Sequence, residues 1–437
     1  MQYSPSRRTA LVLCGTGAHG AYHAGVLRAL QEAGVRIDLV AGHGVGAAGA
    51  MLSAIDGSGR LWEPAGIWRS PQSQTLYAFT PAMRIALWTC LALFVSLLVP
   101  TILMALTPSL ESIRRVAQVV VVVILLATAS VVVAMGVARS QWQGKRRPLG
   151  IPWWVIAGAP FDATHAIGVF SQAIWQLIRG AARDPQPPQD SGRRYADVLA
   201  DSLGQPGFRE LMIVATDLDA RGDIVAALLR EPYRRDFIAP RAGRERRAEA
   251  FDLAGAGRDH ALDIMAAALT PPVVCEPRLV TFAADGFWRG ETHRLCDRPA
   301  AVMRLFEELA AAAVSQLVVV TAVPTAFAPH RLRAPRLDTR SRLGEFLAAA
   351  EAAALHDAIN LARLRFDSCY VIRPSHNPVG PFDVGGAYDE ASDRRHSTGE
   401  LMEHGYEDAY HQFIDPVVGA SGDQLARADS REPSSLA

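Results

Sequence analysis

Residues 85–106 and 116–138 contain no charged side chain, and the second run includes the unbroken valine block 119–123. Each run has the length that a helix rising 1.5 Å per residue needs to cross a hydrocarbon layer of ~30 Å. Between them lie Pro108, Glu111, Arg114 and Arg115. The pattern predicts a two-helix membrane hairpin, because neither run shows the alternation of apolar and polar faces that a soluble helix needs. A pair of buried helices, or a central strand for the valine run, is the soluble alternative. Arg69 and Arg84 precede the first run, and Arg139, Lys145, Arg146 and Arg147 follow the second, against Arg114 and Arg115 in the short connection. This excess of cations on the outer flanks predicts that both flanking parts face the cytoplasm, in a bacterium from the inner membrane. No signal peptide is predicted, since the apolar stretch 9–14 is too short for one and runs into glycines.

The hairpin also explains the composition. Half of the 437 residues are hydrophobic and 20% are charged, which excludes a disordered chain. Lys+Arg and Asp+Glu are 44 each, so the formal charge is zero. A nucleic-acid surface needs a cationic excess, so none is expected. The five cysteines are scattered, and no pair among His260, His293, His330, His356, His376, His396, His404 and His411 has ligand spacing. Neither a disulfide framework nor a metal site is predicted, and no cofactor is expected.

The N-terminal stretch reads as two strand–turn–helix units. Residues 10–14 form an apolar strand, Gly15-Thr16-Gly17-Ala18-His19-Gly20 a turn, and 21–33 a helix ended by Gly34. Residues 37–41 form the next strand, Gly42-His43-Gly44-Val45-Gly46 a second tight turn, and 47–55 a second helix. Such alternation predicts a parallel sheet with its chemistry at the C-terminal ends of the strands. The first turn fits G-x-G-x-x-G, so a nucleotide pyrophosphate on the helix N-terminus is one reading of residues Gly15–Gly20. Asp38 has about the spacing of a ribose-binding acid, but it starts its strand where such an acid should end it.

The other reading uses both turns together. A glycine-rich loop after one strand supplies backbone N–H donors for an oxyanion, and a G-x-S-x-G elbow after the next presents a nucleophile. An aspartate in the later turn Asp285-Gly286 would serve as its base. The stretch 11–50, with His23-Ala24-Gly25-Val26-Leu27-Arg28-Ala29-Leu30 at its centre, resembles the patatin-like phospholipase family. Residues 214–217 with Arg221-Gly222-Asp223, and residues 266–272 followed by Asp285-Gly286, resemble later motifs of that family. The likeness spans about residues 8–60 and 200–415. It implies a three-layer α/β/α sandwich with a mainly parallel sheet, and lipid acyl-ester hydrolysis by a Ser–Asp dyad. It implies an oxyanion hole at Gly15, Thr16, Gly17 and Ala18, an elbow at Gly42, His43 and Gly46, and Asp285 as the dyad acid. The departure is at the nucleophile: the serine position is Gly44, which has no side chain to acylate. The loop's usual arginine is His19, a possible auxiliary group.

Residues 161–182, 259–269, 346–366 and 394–413 read as helices and 210–217, 279–283, 316–322 and 369–372 as strands, while the arginine-rich 221–247 reads as solvated surface. The expected organisation is a patatin-like domain in two pieces, 1–75 and 150–420, with the hairpin segment 76–149 inserted and a disordered tail, 421–437. The expected function is a membrane-tethered, catalytically impaired relative of the lipid acyl hydrolases, with acyl lipid or phospholipid and the bilayer as partners. The alternatives are an active phospholipase or esterase using a non-standard nucleophile or an aspartate-activated water, and a nucleotide-binding membrane protein using Gly15–Gly20.

Overall fold

A computed structural model describes residues 3–106, 111–142, 158–182, 188–239, 248–284, 288–326, 338–389 and 392–419. The chain forms two compact units, one of residues 1–77, 163–272 and 277–437, the other of 78–162 and 273–276.

The first unit is built on one sheet. Strand β1 (Thr9–Gly15) and strand β2 (Leu39–Gly44) are buried along their whole length, as a strand covered on both faces must be. Helix α1 (Gly20–Glu32) follows β1, and helix α2 (Val45–Ala54) follows β2. Two further helices stand in the hairpin segment, α3 (Pro81–Leu106) and α4 (Glu111–Trp142). Back in the first unit come α5 (Thr164–Ile178), α6 (Pro188–Ser202), β3 (Glu210–Asp217), β4 (Gly222–Leu228), β5 (Ala248–Asp252) and α7 (Ala261–Ala268). They are followed by β6 (Arg278–Thr281), β7 (Thr292–Cys296), α8 (Val302–Ala311), β8 (Gln316–Thr321), α9 (Thr339–Arg365), β9 (Ser368–Ile372) and α10 (Thr398–Ala409).

The strands run β9-β8-β1-β2-β3-β4-β5, with β7 on β3 and β6 on β7. The run from β9 to β3 is parallel, as the βα alternation predicts, whereas β4 and β7 pair antiparallel with β3. On one face, Ala10, Val12 and Cys14 pack in one cluster with Leu305 and Phe306 of α8 and Ala358 and Ile359 of α9. On the other, α2 lies across β1, β2 and β3, and α1 packs against α10. The mixed α/β fold with a mainly parallel sheet is thus present.

Part of the reading of 221–247 is corrected. Gly222–Leu228 is a strand with six buried residues, because its apolar core 224–228 outweighs the flanking charges; 240–247 lie outside the described residues. Helix 394–413 begins only at Thr398, where Ser397 and Glu400 form a capping box, and residues 394–396 are extended. Strand β7 and helix α8 were not among the expected elements, although Val302, Leu305, Phe306 and Leu309 of α8 are buried at helical spacing.

In the second unit, helices α3 and α4 occupy the two uncharged runs and pack on each other. Among the described residues no helix is long and apolar enough to cross a membrane. Large apolar side chains on both helices are nevertheless uncovered, Trp88 at 70% and Leu126 at 64% exposure among them. Residues 107–110, the basic flank Lys145, Arg146 and Arg147, and the tail 421–437 lie outside the described residues.

Helices α1 and α10 cross at glycines. A Cβ on Gly25 would lie 1.8 Å from the carbonyl oxygen of Met402, and one on Gly405 2.3 Å from that of Tyr22. Gly25→Ala is therefore expected to destabilise the protein by about 3 kcal/mol, since backbone cannot yield as a side-chain tip can. Gly399→Ala, whose Cβ would meet only the Ser397 hydroxyl at 3.7 Å, is the control. Equal thermal unfolding midpoints for the two variants would show that the crossing is not close-packed.

Candidate functional site: a closed elbow

Strands β1 and β2 end side by side, with Cys14 opposite His43 and Gly15 opposite Gly44. Gly44 has φ 60° and ψ −133° and stands at the N-cap of α2, the strained strand-to-helix turn of a nucleophile elbow. A side chain there would be strained by its backbone conformation alone. It would also have no room: its Cβ would fall 2.2 Å from the carbonyl oxygen of Gly15. Gly42 and Gly46 are held small in the same way, by the backbone of 46–47 and by the Leu13 carbonyl respectively. Gly42, His43, Gly44 and Gly46 form a tight strand-to-helix turn, and the neighbouring strand leaves no room for a side chain on Gly44.

The glycine loop is closed as well. The N–H of Ala18, one of the predicted oxyanion donors, donates to the carbonyl of Pro381 at 2.7 Å. Gly17, at φ +58°, has the same carbonyl 2.0 Å from where its Cβ would be. The segment carrying Pro381 is fixed by its own bonds: Asn377 Nδ2 donates to the Ala322 carbonyl at 3.0 Å, the Gly380 N–H to Asp383 at 2.9 Å, and Phe382 packs edge-on to Tyr77. Asp38, the candidate ribose ligand, precedes β2 at the strand end away from this loop and accepts the Thr9 N–H at 2.9 Å.

Buried polar groups surround the two turns. Glu351, inside the alanine-rich α9, accepts from the Thr16 hydroxyl and lies 3.5 Å from His19 Nδ1. Burial alone would raise the Glu351 pKa, but the nearby His19 and the Thr16 hydroxyl outweigh it, so the carboxyl is held below its ordinary value. His43 Nε2 stands 3.0 Å from Asp297 Oδ1 and 2.9 Å from the Arg298 carbonyl. Burial would lower the His43 pKa, yet the Asp297 charge and hydrogen bond lift it to about 9. His23, whose Nε2 meets the Cys14 carbonyl at 3.0 Å, is lowered by burial to about 4. His43 is therefore an imidazolium at neutral pH, which disqualifies it as a general base.

Asp297 is the acid that this geometry supplies. Its Oδ2 lies 3.3 Å from where a Cβ on Gly44 would be, and that oxygen is buried without a hydrogen-bond partner. Asp285, the acid nominated from sequence, lies outside the described residues. The sequence signals for the missed pair are a carboxylate directly after strand β7, Asp297, and a lone acid in an alanine run, Glu351. Only about 10 Å³ remains free beside Gly15, His43 and Glu351, room for at most one water. No group of histidine, cysteine and carboxylate side chains among the described residues could hold a metal ion.

A glycine loop after one parallel strand, a tight turn at Gly44 after the next, and the buried Asp297 thus meet at one end of the parallel strands. On direct comparison, residues 11–102 match the family model for patatin-like phospholipase. No curated protein matches the chain. Among solved structures, that of VipD from Legionella pneumophila is similar over 93% of this chain and 66% of its own, at 12% identity and a TM-score of 0.31. The chain thus spans just under two thirds of that protein's length, and so distant a likeness carries no argument.

Two outcomes follow from this geometry. Gly44→Ser is expected to lower stability by a few kcal/mol, from backbone strain and overpacking together, and to create no esterase. Melting curves and hydrolysis of p-nitrophenyl butyrate check this; a stable Gly44→Ser protein that turns over the ester would show that the elbow opens. Stability should also be greatest near pH 6.5. The raised His43 pKa gives a contribution complete below 6.5 and lost as pH rises through about 9, while the lowered His23 pKa gives one complete above 6.5 and lost as pH falls through about 4. Each limb is worth about 1.4 kcal/mol per pH unit while one proton is exchanged. Urea midpoints from pH 4 to 10 should lose their alkaline limb in His43→Gln, and an unchanged limb would refute the pairing with Asp297.

Proposed function

We propose that this protein is a membrane-tethered pseudoenzyme of the patatin-like type that binds acyl lipid without hydrolysing it. The observation that carries the reading is the Gly15 carbonyl 2.2 Å from the place of a side chain on Gly44. Loss of a nucleophile removes the acyl-enzyme route and costs orders of magnitude in rate. The occupied Ala18 N–H weakens the remaining oxyanion contribution as well. Acyl lipid as ligand comes from the family match over residues 11–102. The tether rests on the uncharged runs 85–106 and 116–138 and on the uncovered apolar side chains of α3 and α4, a larger apolar surface than a soluble monomer exposes without use. The excess of cations on the outer flanks supports a cytoplasmic side for both parts, 1–75 and 150–420.

A second reading, hydrolysis by a water on an aspartate, has one observation in its favour, the unpartnered Asp297 Oδ2. Ester hydrolysis by the full-length protein separates the two. Wild type is expected to match Asp297→Asn and Asp285→Ala, all at the uncatalysed rate. Turnover by wild type that disappears in Asp297→Asn would replace the binding role with a catalytic one. For the tether, alkaline carbonate should leave the protein in the membrane pellet, and its release into the supernatant would end that part of the proposal.

A further inference from the structure

A cavity of about 620 Å³ in the first unit lies away from the elbow, between α5, α6, α7 and β6. That is within the size range of small-molecule sites. Its walls include Ile167, Trp175, Leu262 and Ala266, which offer an aliphatic and aromatic lining. Its charged members are Arg179, Arg278 and Asp263. Asp263 is already engaged on both oxygens, with His260 Nδ1 at 3.2 Å and Arg278 at 4.0 Å. Arg179 has no ion-pair partner among the described residues, so the cavity keeps an unbalanced positive charge.

Two further observations point to an occupant. The Trp175 Nε1 and the Arg278 Nε are buried with no hydrogen-bond partner, and Trp175 is only 6% exposed. Both groups can only donate, so an acceptor oxygen is what each of them lacks. Gly168 also lines the cavity from the interior of α5, where a glycine costs about 1 kcal/mol against alanine. A Cβ on Gly168 would meet nothing within 4 Å, so no neighbour requires the glycine, and its effect is to leave the cavity open.

We propose that this cavity binds a single-chain amphiphile with an anionic oxygen head, its chain against Ile167, Trp175 and Leu262 and its head at Arg278 and Arg179. The site goes beyond the elbow reading and shares no residue with the elbow. It stands or falls whether or not the elbow turns over an ester.

Titration calorimetry on the full-length protein tests it, with dodecanoate and dodecyl phosphate as the two sources of the head and dodecanol as the headless control. At least one of the two anions should bind more tightly than dodecanol. Arg278→Gln should weaken that anion about ten-fold, the worth of one charge-assisted hydrogen bond, and leave dodecanol unchanged. Gly168→Leu should abolish binding of the anion to the cavity while melting no lower than wild type, since it adds a helix-favouring side chain in open space. Neither substitution touches α3 or α4, so partition onto those helices is the same in all three proteins. Equal affinity for anions and dodecanol, or equal anion binding by wild type, Arg278→Gln and Gly168→Leu, would overturn the assignment.

Discussion

The pairing of β1 with β2 puts Gly15 directly opposite Gly44, and most of what the site can and cannot do depends on that one register. Two parallel strands end together, each followed by a helix that starts at once. The carbonyl that closes β1 then faces the residue that turns β2 into α2. In this position any side chain competes with a backbone group that cannot move without breaking the sheet. Glycine at the elbow is thus a requirement of packing, beyond the absence of a reactive group.

The charges around the elbow have settled into pairs instead of being poised for transfer. His43 sits on Asp297, and His19 and Thr16 sit on Glu351, all out of solvent. Buried ions are tolerated only when paired, and removing one partner leaves the other uncompensated. A catalytic site keeps its base free to accept a proton; here the histidine beside the elbow already carries one. The same groups therefore act as internal ties among β2, α9 and the turn after β7.

The sequence made the parallel half of the fold legible because strands buried on both faces read as continuous apolar runs, as in β1, β3 and β8. The turns were legible because glycine spacing marks them. What escaped were elements whose burial comes from distant partners: β4, hidden among arginines, and β7, with its alternating Thr292–Cys296 pattern. The carboxylates at the site escaped for the same reason. Nothing near Glu351 or Asp297 in the chain announces a neighbour at Thr16 or His43, since only the sheet order brings them together. The closed state of the elbow was visible only as the letter glycine at 44; that the Gly15 carbonyl leaves no room there is a fact of three dimensions.

The glycine-to-glycine crossing of α1 and α10 has a consequence for how the polypeptide is made. Helix α1 presents a glycine surface that α10 covers, and β1 needs β8 on one side. Both partners leave the ribosome hundreds of residues later. The opening units therefore spend most of synthesis without their final neighbours, in a topology whose long-range contacts make folding slow. The apolar helices α3 and α4 emerge during that interval, ahead of most of the sheet. Assembly must thus proceed around them, with the first strand waiting for the last helices to complete its surroundings.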